Sequence, residues 1–172
     1  MSEAARVLKF ATKATDVWRT PPTLWGPLNN EFHFVLDAAC ESHNQLAPHG
    51  LCADRGDDAL LMPWHTYGGA VWCNPPYSRI RPWMEQGIRA GRVVPVVMLI
   101  PADTSTRWWF ECVAHLAAEV RFLVGRVRFR GVDGEPYQRR TGGGSGLSTP
   151  SALVIYRPSG GPPRYSYVET PR

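Results

Sequence analysis

Short, continuous apolar runs bounded by proline, glycine or charged residues are the clearest pattern along this chain. Such runs, without polar alternation, predict strands that are buried on both faces of a sheet. The predicted strands are Phe34 to Ala38, Ala70 to Cys73, Pro95 to Pro101 and Ser151 to Tyr156, with shorter β segments at Glu119 to Val124 and Arg126 to Phe129. Asp37 is placed at the carboxyl end of the first strand.

Three helices are predicted between these runs. Thr20, followed by proline, is a plausible N-cap for a helix to about Leu28. Ser78 is a second candidate cap, for a helix to about Ala90, and Thr104 or Thr106 a third, for a helix to about Leu116. Strands that alternate with helices indicate an α/β domain with a mostly parallel sheet. Residues 40–57 and 130–150 are rich in turn formers and are predicted to be loops.

The length of 172 residues suits one domain with a substantial core. We expect an N-terminal arm at 1–15, the domain itself at 16–157 and an extended tail at 158–172. No apolar stretch is long enough to span a bilayer, and the N-terminus lacks the apolar segment of a signal peptide. The expected location is therefore the cytoplasm, with no membrane partner.

The net charge of +4 indicates an anionic partner such as nucleic acid. Lys9 and Lys13 are the only lysines, so the basic residues are mostly arginine, which binds phosphate bidentately. Coding bias in a GC-rich genome is an alternative explanation. The candidate phosphate contacts are Arg79, Arg107, Arg126, Arg128 and Arg130. The last three alternate and would share one strand face, although an ordinary solvated face explains each one as well.

Cys40, His43, His49 and Cys52 have residue types that bind zinc. Their spacing fits no standard zinc module, so we expect no metal and treat a structural zinc as the alternative. In a cytosolic chain disulfides are rare. The four cysteines are therefore expected to be unpaired core or loop residues.

The strongest chemical signal is Asn74-Pro75-Pro76-Tyr77, directly after a predicted strand. Each proline has a fixed φ and no N–H donor, so the turn is stiff and presents carbonyl groups. The Asn74 side-chain carbonyl and the Pro75 backbone carbonyl are suited to accept hydrogen bonds from a planar amino group. Tyr77 offers a ring on which a base can stack. The alternative is an ordinary surface turn.

Polar segments follow three predicted strands, at Asp37, at Asn74 and at Pro101 to Asp103. In open parallel sheets, ligands bind beyond the carboxyl ends of the strands. These segments are therefore expected to line one rim. No Ser/His/Asp set or carboxylate pair stands out, which argues against a hydrolase.

Several motifs in a fixed order carry a resemblance that covers about Trp18 to Tyr156. They are Trp18-x-Thr20-Pro21, Leu36-Asp37-Ala38-Ala39, Val71 to Tyr77, Leu99 to Thr104 with Arg107 to Phe110, Val120-Arg121-Phe122 with Gly125 to Phe129, and Pro150-Ser151-Ala152. The chain is similar to the S-adenosylmethionine-dependent DNA methyltransferases that methylate amino groups. Among these it resembles most the small phage-type DNA N6-adenine methyltransferases.

The resemblance implies a single-domain, reduced Rossmann-like methyltransferase fold. It makes Asn74, Pro75, Pro76 and Tyr77 the catalytic turn. It also implies cofactor contacts: Asp37 near the methionine part, Asp58 at the adenine amino group and Thr20 at the carboxylate. The sequence departs from the usual pattern of methyltransferases in two ways. It has no glycine-rich loop after Asp37, and it has little room for the usual second strand and helix before Asn74.

The expected function is therefore site-specific adenine-N6 methylation of double-stranded DNA, with S-adenosylmethionine as cofactor, in a bacterial or phage-infected cell. One alternative is another acceptor: cytosine N4, an RNA base or a protein glutamine. A second alternative is a non-catalytic nucleic-acid-binding module on a decayed methyltransferase scaffold. The oligomeric state and the target site do not follow from the sequence.

Overall fold

A seven-stranded mixed sheet forms the centre of the computed structural model, which describes residues 19–130, 150–159 and 161–170. The strands are β1 (Phe34–Cys40), β2 (His49–Cys52), β3 (Ala70–Cys73), β4 (Val96–Pro101), β5 (Glu119–Val124), β6 (Ser151–Tyr156) and β7 (Arg164–Glu169). Their order in the sheet is β2-β1-β3-β4-β6-β5-β7. The expected N-terminal arm, residues 1–15, lies outside the described residues.

The strands β1 to β4 run parallel to one another, whereas β6 is inserted antiparallel between β4 and β5. β5 therefore points in the same direction as β4, and β7 pairs parallel with β5. As a result, the carboxyl ends of β1, β2, β3, β4 and β5 meet at one edge of the sheet, here called the carboxyl rim. The α/β fold with a mostly parallel sheet is confirmed, and it fits a Rossmann-like methyltransferase.

Helices cover both faces of the sheet. They are α1 (Pro22–Phe32), α2 (Ile80–Gly91) and α3 (Arg107–Cys112). α1 packs Leu24 and Leu28 on one face, in a core with Trp72 and Phe34. α2 and α3 pack on the opposite face, where Trp83 lies in the second core. Within the described ranges, no helix is long and apolar enough to cross a membrane.

The helix boundaries differ from the sequence predictions at two of the three caps. α1 begins one residue after Pro21, which occupies the N-cap in place of Thr20, and it continues past Leu28 to Phe32. A 3-10 helix at Tyr77–Arg79 precedes α2, so Ser78 is not its cap. Thr106 does cap α3, because its side chain accepts a hydrogen bond from the Trp109 backbone N–H at 3.4 Å.

The second strand lies in a segment that was predicted to be a loop. β2 reads His-Gly-Leu-Cys, which is too short and too mixed to show a strand period. Gly50 suits this strand because a Cβ there would lie 2.7 Å from Cys40 Sγ and 2.5 Å from Gln45 Oε1. Between β2 and β3 there are only turns and short 3-10 helices at Ala53–Arg55 and Trp64–Tyr67, so this half of the fold is reduced as expected.

The expectation that the cysteines are unpaired was wrong for two of them. Cys40 and Cys52 form a disulfide, with their Cα atoms 4.6 Å apart. They are register partners at the ends of two neighbouring parallel strands, which brings the thiols within bonding range. Cys73 and Cys112 are free and buried. His43 lies 3.3 Å from Glu41, and the described residues contain no group of three or more His, Cys, Asp or Glu side chains able to hold a metal.

Three smaller differences concern the second half of the chain. Residues 126–129 form no strand, although their predicted alternation is real, since Val127 and Phe129 are buried between exposed arginines. The segment expected to be an extended tail contributes β7 to the sheet. Phe110 on α3 is 61% exposed, although a large aromatic side chain is more often part of the core.

Candidate active site

The Asn74 to Tyr77 turn lies at the carboxyl rim, directly beyond the end of β3. The strand stops there because the two prolines have no N–H with which to continue the ladder. Pro75 is buried, and Pro76 has an extended conformation (φ −62°, ψ 120°) whose carbonyl accepts a hydrogen bond from Arg79 N–H at 3.4 Å. The turn is thus held between a central strand and the 3-10 helix that follows it.

The side-chain amide of Asn74 is held at both ends. Its Nδ2 donates to Thr20 Oγ1 at 3.3 Å, and the Tyr77 hydroxyl donates to its Oδ1 at 3.4 Å. Burial raises the pKa of the Tyr77 phenol, so this hydroxyl keeps its proton at neutral pH. The structure therefore brings together three residues that the sequence predicted for the site, although Thr20 and Asn74 are 54 positions apart.

Thr20 is itself fixed by its neighbours. It is buried, and the preceding residue, Arg19, exchanges two backbone hydrogen bonds with Arg130 at 3.1 and 3.2 Å. On the other side, the carbonyl of Pro21 accepts the first hydrogen bonds of α1. The segment from Arg126 to Arg130 thus ends beside Thr20 and, through it, beside Asn74.

Asp37 is a buried carboxylate next to the turn. It lies within β1, which continues past its predicted end at Ala38 to Cys40, and its register partner in β3 is Trp72. Its oxygens accept hydrogen bonds from the backbone N–H groups of Ala39 at 3.3 Å and Leu46 at 3.1 Å. Burial outweighs these two contacts and raises its pKa to about 6. Burial, and secondarily the charge of Asp37, also raises the pKa of the Cys73 thiol just before the turn.

The acidic residues after β2 have separate partners. The Asp58 carboxylate accepts a hydrogen bond from Leu60 N–H at 3.1 Å, as expected for a residue that starts a turn. The nearby Asp57 accepts a hydrogen bond from Cys52 N–H at 2.9 Å. Asp54 accepts one from Ser42 N–H at 2.9 Å. All three carboxylates thus hold local backbone N–H groups, and the cofactor role of Asp58 stays a prediction.

A comparison of the sequence with protein-family models shows the family of this chain. The family model for DNA N-6-adenine-methyltransferase (Dam) matches residues 9–171. The chain belongs to the Dam family.

Two relatives of this Dam-family chain come from phages, and both are called DNA N-6-adenine-methyltransferase. One, from Escherichia phage T1, is 29% identical over 126 residues, which is 72% of this chain and 51% of the relative. The other, from Haemophilus phage HP1, is 28% identical over 148 residues, which is 83% of this chain and 79% of the relative. The match thus spans about half the length of the T1 protein and most of the HP1 protein.

The arginines of this Dam-family chain fall into two groups at the rim. Arg79 is exposed just after the turn, whereas Arg107, 84% exposed, lies 3.4 Å from Glu111 on α3. Arg81, which the sequence did not single out, binds the same Glu111 at 2.8 Å. In the second group, Arg126, Arg128 and Arg130 all point to solvent. Within the part of the chain that the structure describes, neither Arg126 nor Arg128 forms an ion pair.

Sequence reasoning missed three features of this Dam-family site: the Arg19–Arg130 backbone pairing, the Leu46 contact to Asp37 and the Cys40–Cys52 disulfide. The first had a weak signal, because the alternation at 126–130 already predicted an extended segment. The other two depend on how β2 pairs with β1, and a four-residue strand without an apolar period does not reveal this.

Proposed function

We propose that this chain is a site-specific DNA adenine-N6 methyltransferase that uses S-adenosylmethionine. The observation that best supports this proposal is the Asn74 amide, which is held between Thr20 and Tyr77 on a proline turn at the carboxyl rim. Membership of the Dam family and the names of the two phage relatives support this reaction. Such an enzyme acts on double-stranded DNA, in the cytoplasm of a bacterial or phage-infected cell.

The turn would make the adenine amino group a better nucleophile. The N6 lone pair is delocalised into the ring, and two acceptors that bind the N–H bonds pull the nitrogen towards a tetrahedral geometry. Asn74 Oδ1 and the Pro75 carbonyl are the acceptors in this proposal. Held in this way, N6 would take the methyl group that S-adenosylmethionine supplies, the electron pair of the carbon–sulfur bond would stay on sulfur, and one N6 proton would leave to solvent. Positioning and fixed dipoles supply the rate enhancement without a covalent enzyme intermediate.

The residues at the rim fit the cofactor that the family implies. S-adenosylmethionine supplies a methyl group already activated on a cationic sulfonium. Asp37 offers a desolvated carboxylate whose charge a cationic ligand would stabilise. In this proposal Asp37 holds the methionine part, and Asp58 accepts a hydrogen bond from the adenine amino group of the cofactor.

The target base has to leave the duplex, because N6 cannot be approached in line inside the stack. Tyr77 would support the flipped base, a stacking contact of about 1–3 kcal/mol. The exposed Arg79, Arg107, Arg126, Arg128 and Arg130 would bind the flanking phosphates. All five arginines follow the Asn74 turn along the chain, and both groups lie at the same rim of the sheet.

Replacing Asn74 tests the proposal. We expect Asn74→Ala to lower turnover by about 10²–10³-fold, because it removes an acceptor for the amino group in the transition state. Asn30→Ala, on the exposed side of α1 near its far end, is the matched control and should keep wild-type turnover. Mass spectrometry of digested DNA measures the product, and circular dichroism checks the fold.

Three outcomes would contradict the proposal. Near-wild-type turnover of Asn74→Ala would remove the turn from the mechanism. N4-methylcytosine in place of N6-methyladenine would show a different acceptor. Absence of calorimetric binding at about millimolar S-adenosylmethionine would favour the non-catalytic scaffold.

A further inference from the structure

We propose that Thr20 is a positioning residue for Asn74, and that its hydroxyl holds the amide with Oδ1 turned towards the acceptor nitrogen. This inference rests on the proposed function and refines the part played by Thr20. The resemblance suggests a contact between Thr20 and the cofactor. The structure instead shows a direct contact between Thr20 Oγ1 and Asn74 Nδ2, at 3.3 Å.

The two ends of the Asn74 amide have opposite chemical roles. Oδ1 has to accept from the amino group of the substrate, whereas an NH₂ in the same place would meet it donor to donor. With Thr20 accepting from Nδ2, Oδ1 lies on the side where the Tyr77 hydroxyl donates, at 3.4 Å. Because the Tyr77 phenol stays protonated, that donor is present at any working pH.

Thr20 is also rigid enough to impose this orientation. It is only 5% exposed, so water competes little for its hydroxyl. The Arg19–Arg130 pairing fixes the chain on one side, and the Pro21 carbonyl at the start of α1 fixes it on the other. A polar group that is locked by its backbone neighbours can hold a catalytic side chain within the narrow angular range that catalysis needs.

A threonine series at this position separates positioning from cofactor binding. Thr20→Val keeps the shape and removes the acceptor, whereas Thr20→Ser keeps the hydroxyl. We expect Thr20→Val to lower kcat by about ten- to a hundredfold, a size typical of a misplaced catalytic group. The KM for DNA and the calorimetric Kd of S-adenosylmethionine should stay within about twofold of wild type, as expected when an interaction made only in the transition state is lost. Thr20→Ser should restore most of kcat.

The matched control is Thr66→Val. Thr66 donates its hydroxyl to the Pro63 carbonyl at 2.8 Å in the 3-10 helix before β3, at the opposite edge of the sheet. This variant should keep wild-type kcat. If valine at position 20 lowers the melting temperature, Thr20→Ala, which leaves space in place of a methyl group, gives the same comparison with Thr20→Ser.

Two results would overturn the inference while the proposed function stands. One is a Thr20→Val enzyme with wild-type kcat at saturating cofactor and a Kd raised tenfold or more, which would make Thr20 a cofactor contact. The other is wild-type kcat and Kd together, which would make it a structural residue. Failure of the proposed function looks different, because the wild-type protein itself would then form no N6-methyladenine.

Discussion

Asp37 and Asn74 show how neighbouring polar residues at one rim are given different tasks by their surroundings. Asn74 is neutral and is held by two hydroxyl groups, whereas Asp37 is ionisable and almost completely buried from solvent. Both were predicted from sequence, because a polar residue in or after an apolar strand is conspicuous. The Thr20 contact to Asn74 was not predictable, since it depends on two segments 54 positions apart meeting in space.

The raised pKa of Asp37 predicts a pH dependence of cofactor binding. Its ordinary pKa of 3.8 rises to about 6 in the folded protein, so the stability that protonated Asp37 contributes is present below about pH 4 and is lost as the pH rises through 6. A cationic ligand favours the ionised form. The apparent Kd of S-adenosylmethionine should therefore rise as the pH falls below about 6, approaching tenfold per unit.

Calorimetry between about pH 5 and 7.5 measures this dependence. Asp37→Asn should bind the cofactor more weakly at pH 7, and its affinity should be flat over the range. A wild-type Kd that is independent of pH would show that the Asp37 carboxylate does not engage the cofactor.

At the scale of elements, the sequence predicted those strands that are buried on both sides. β3, β4 and β6 were found within a residue of their bounds, because central strands read as unbroken apolar runs. β2 and β7 were missed because they are the two edge strands of the sheet. An edge strand needs no continuous apolar run, and β7 alternates exposed and half-buried residues.

The exposed arginines of the 126–130 segment predict a salt effect. Within the described residues Arg126 and Arg128 have no acidic partner, so each is available for a phosphate. Replacing both with glutamine should weaken DNA binding and reduce the slope of log K against log salt by about 2, since each phosphate contact contributes about 0.9.

Arg92→Gln is the matched control, because Arg92 is exposed at the end of α2, at the opposite edge of the sheet. Fluorescence anisotropy with a labelled duplex at several salt concentrations gives the slopes. An unchanged slope in the double variant would move the DNA interface away from this segment.

At the scale of the molecule, strand order decides which distant residues share the carboxyl rim. The general class of fold followed from the alternation of strands and helices, but the insertion of β6 between β4 and β5 did not, since no local pattern states which strands pair. The same applies to the Cys40–Cys52 disulfide, which follows from the parallel pairing of β1 with β2.

Because of the Cys40–Cys52 disulfide, we expect a reductant to lower the thermal stability of the protein. Closing a loop between residues 12 apart is worth about 3 kcal/mol, so reduction should lower the melting temperature by roughly 6–12 °C. Differential scanning calorimetry with and without a phosphine reductant measures the shift. The Cys40→Ala/Cys52→Ala double variant is the control and should melt at the same temperature in both buffers. Equal melting of oxidised and reduced wild-type protein would contradict the prediction.

The pairing of Arg19 with Arg130 has a consequence for how the proposed activity would be lost on heating. Two backbone hydrogen bonds join these residues, whereas the central strands β3, β4 and β6 are paired with their neighbours over several consecutive residues. If this short bridge opened, Thr20 would be free to move and its hydrogen bond to Asn74 would be lost, while the sheet remained folded. Thermal inactivation should then precede the loss of secondary structure and be reversible on cooling, so that the working temperature range is narrower than the melting curve suggests.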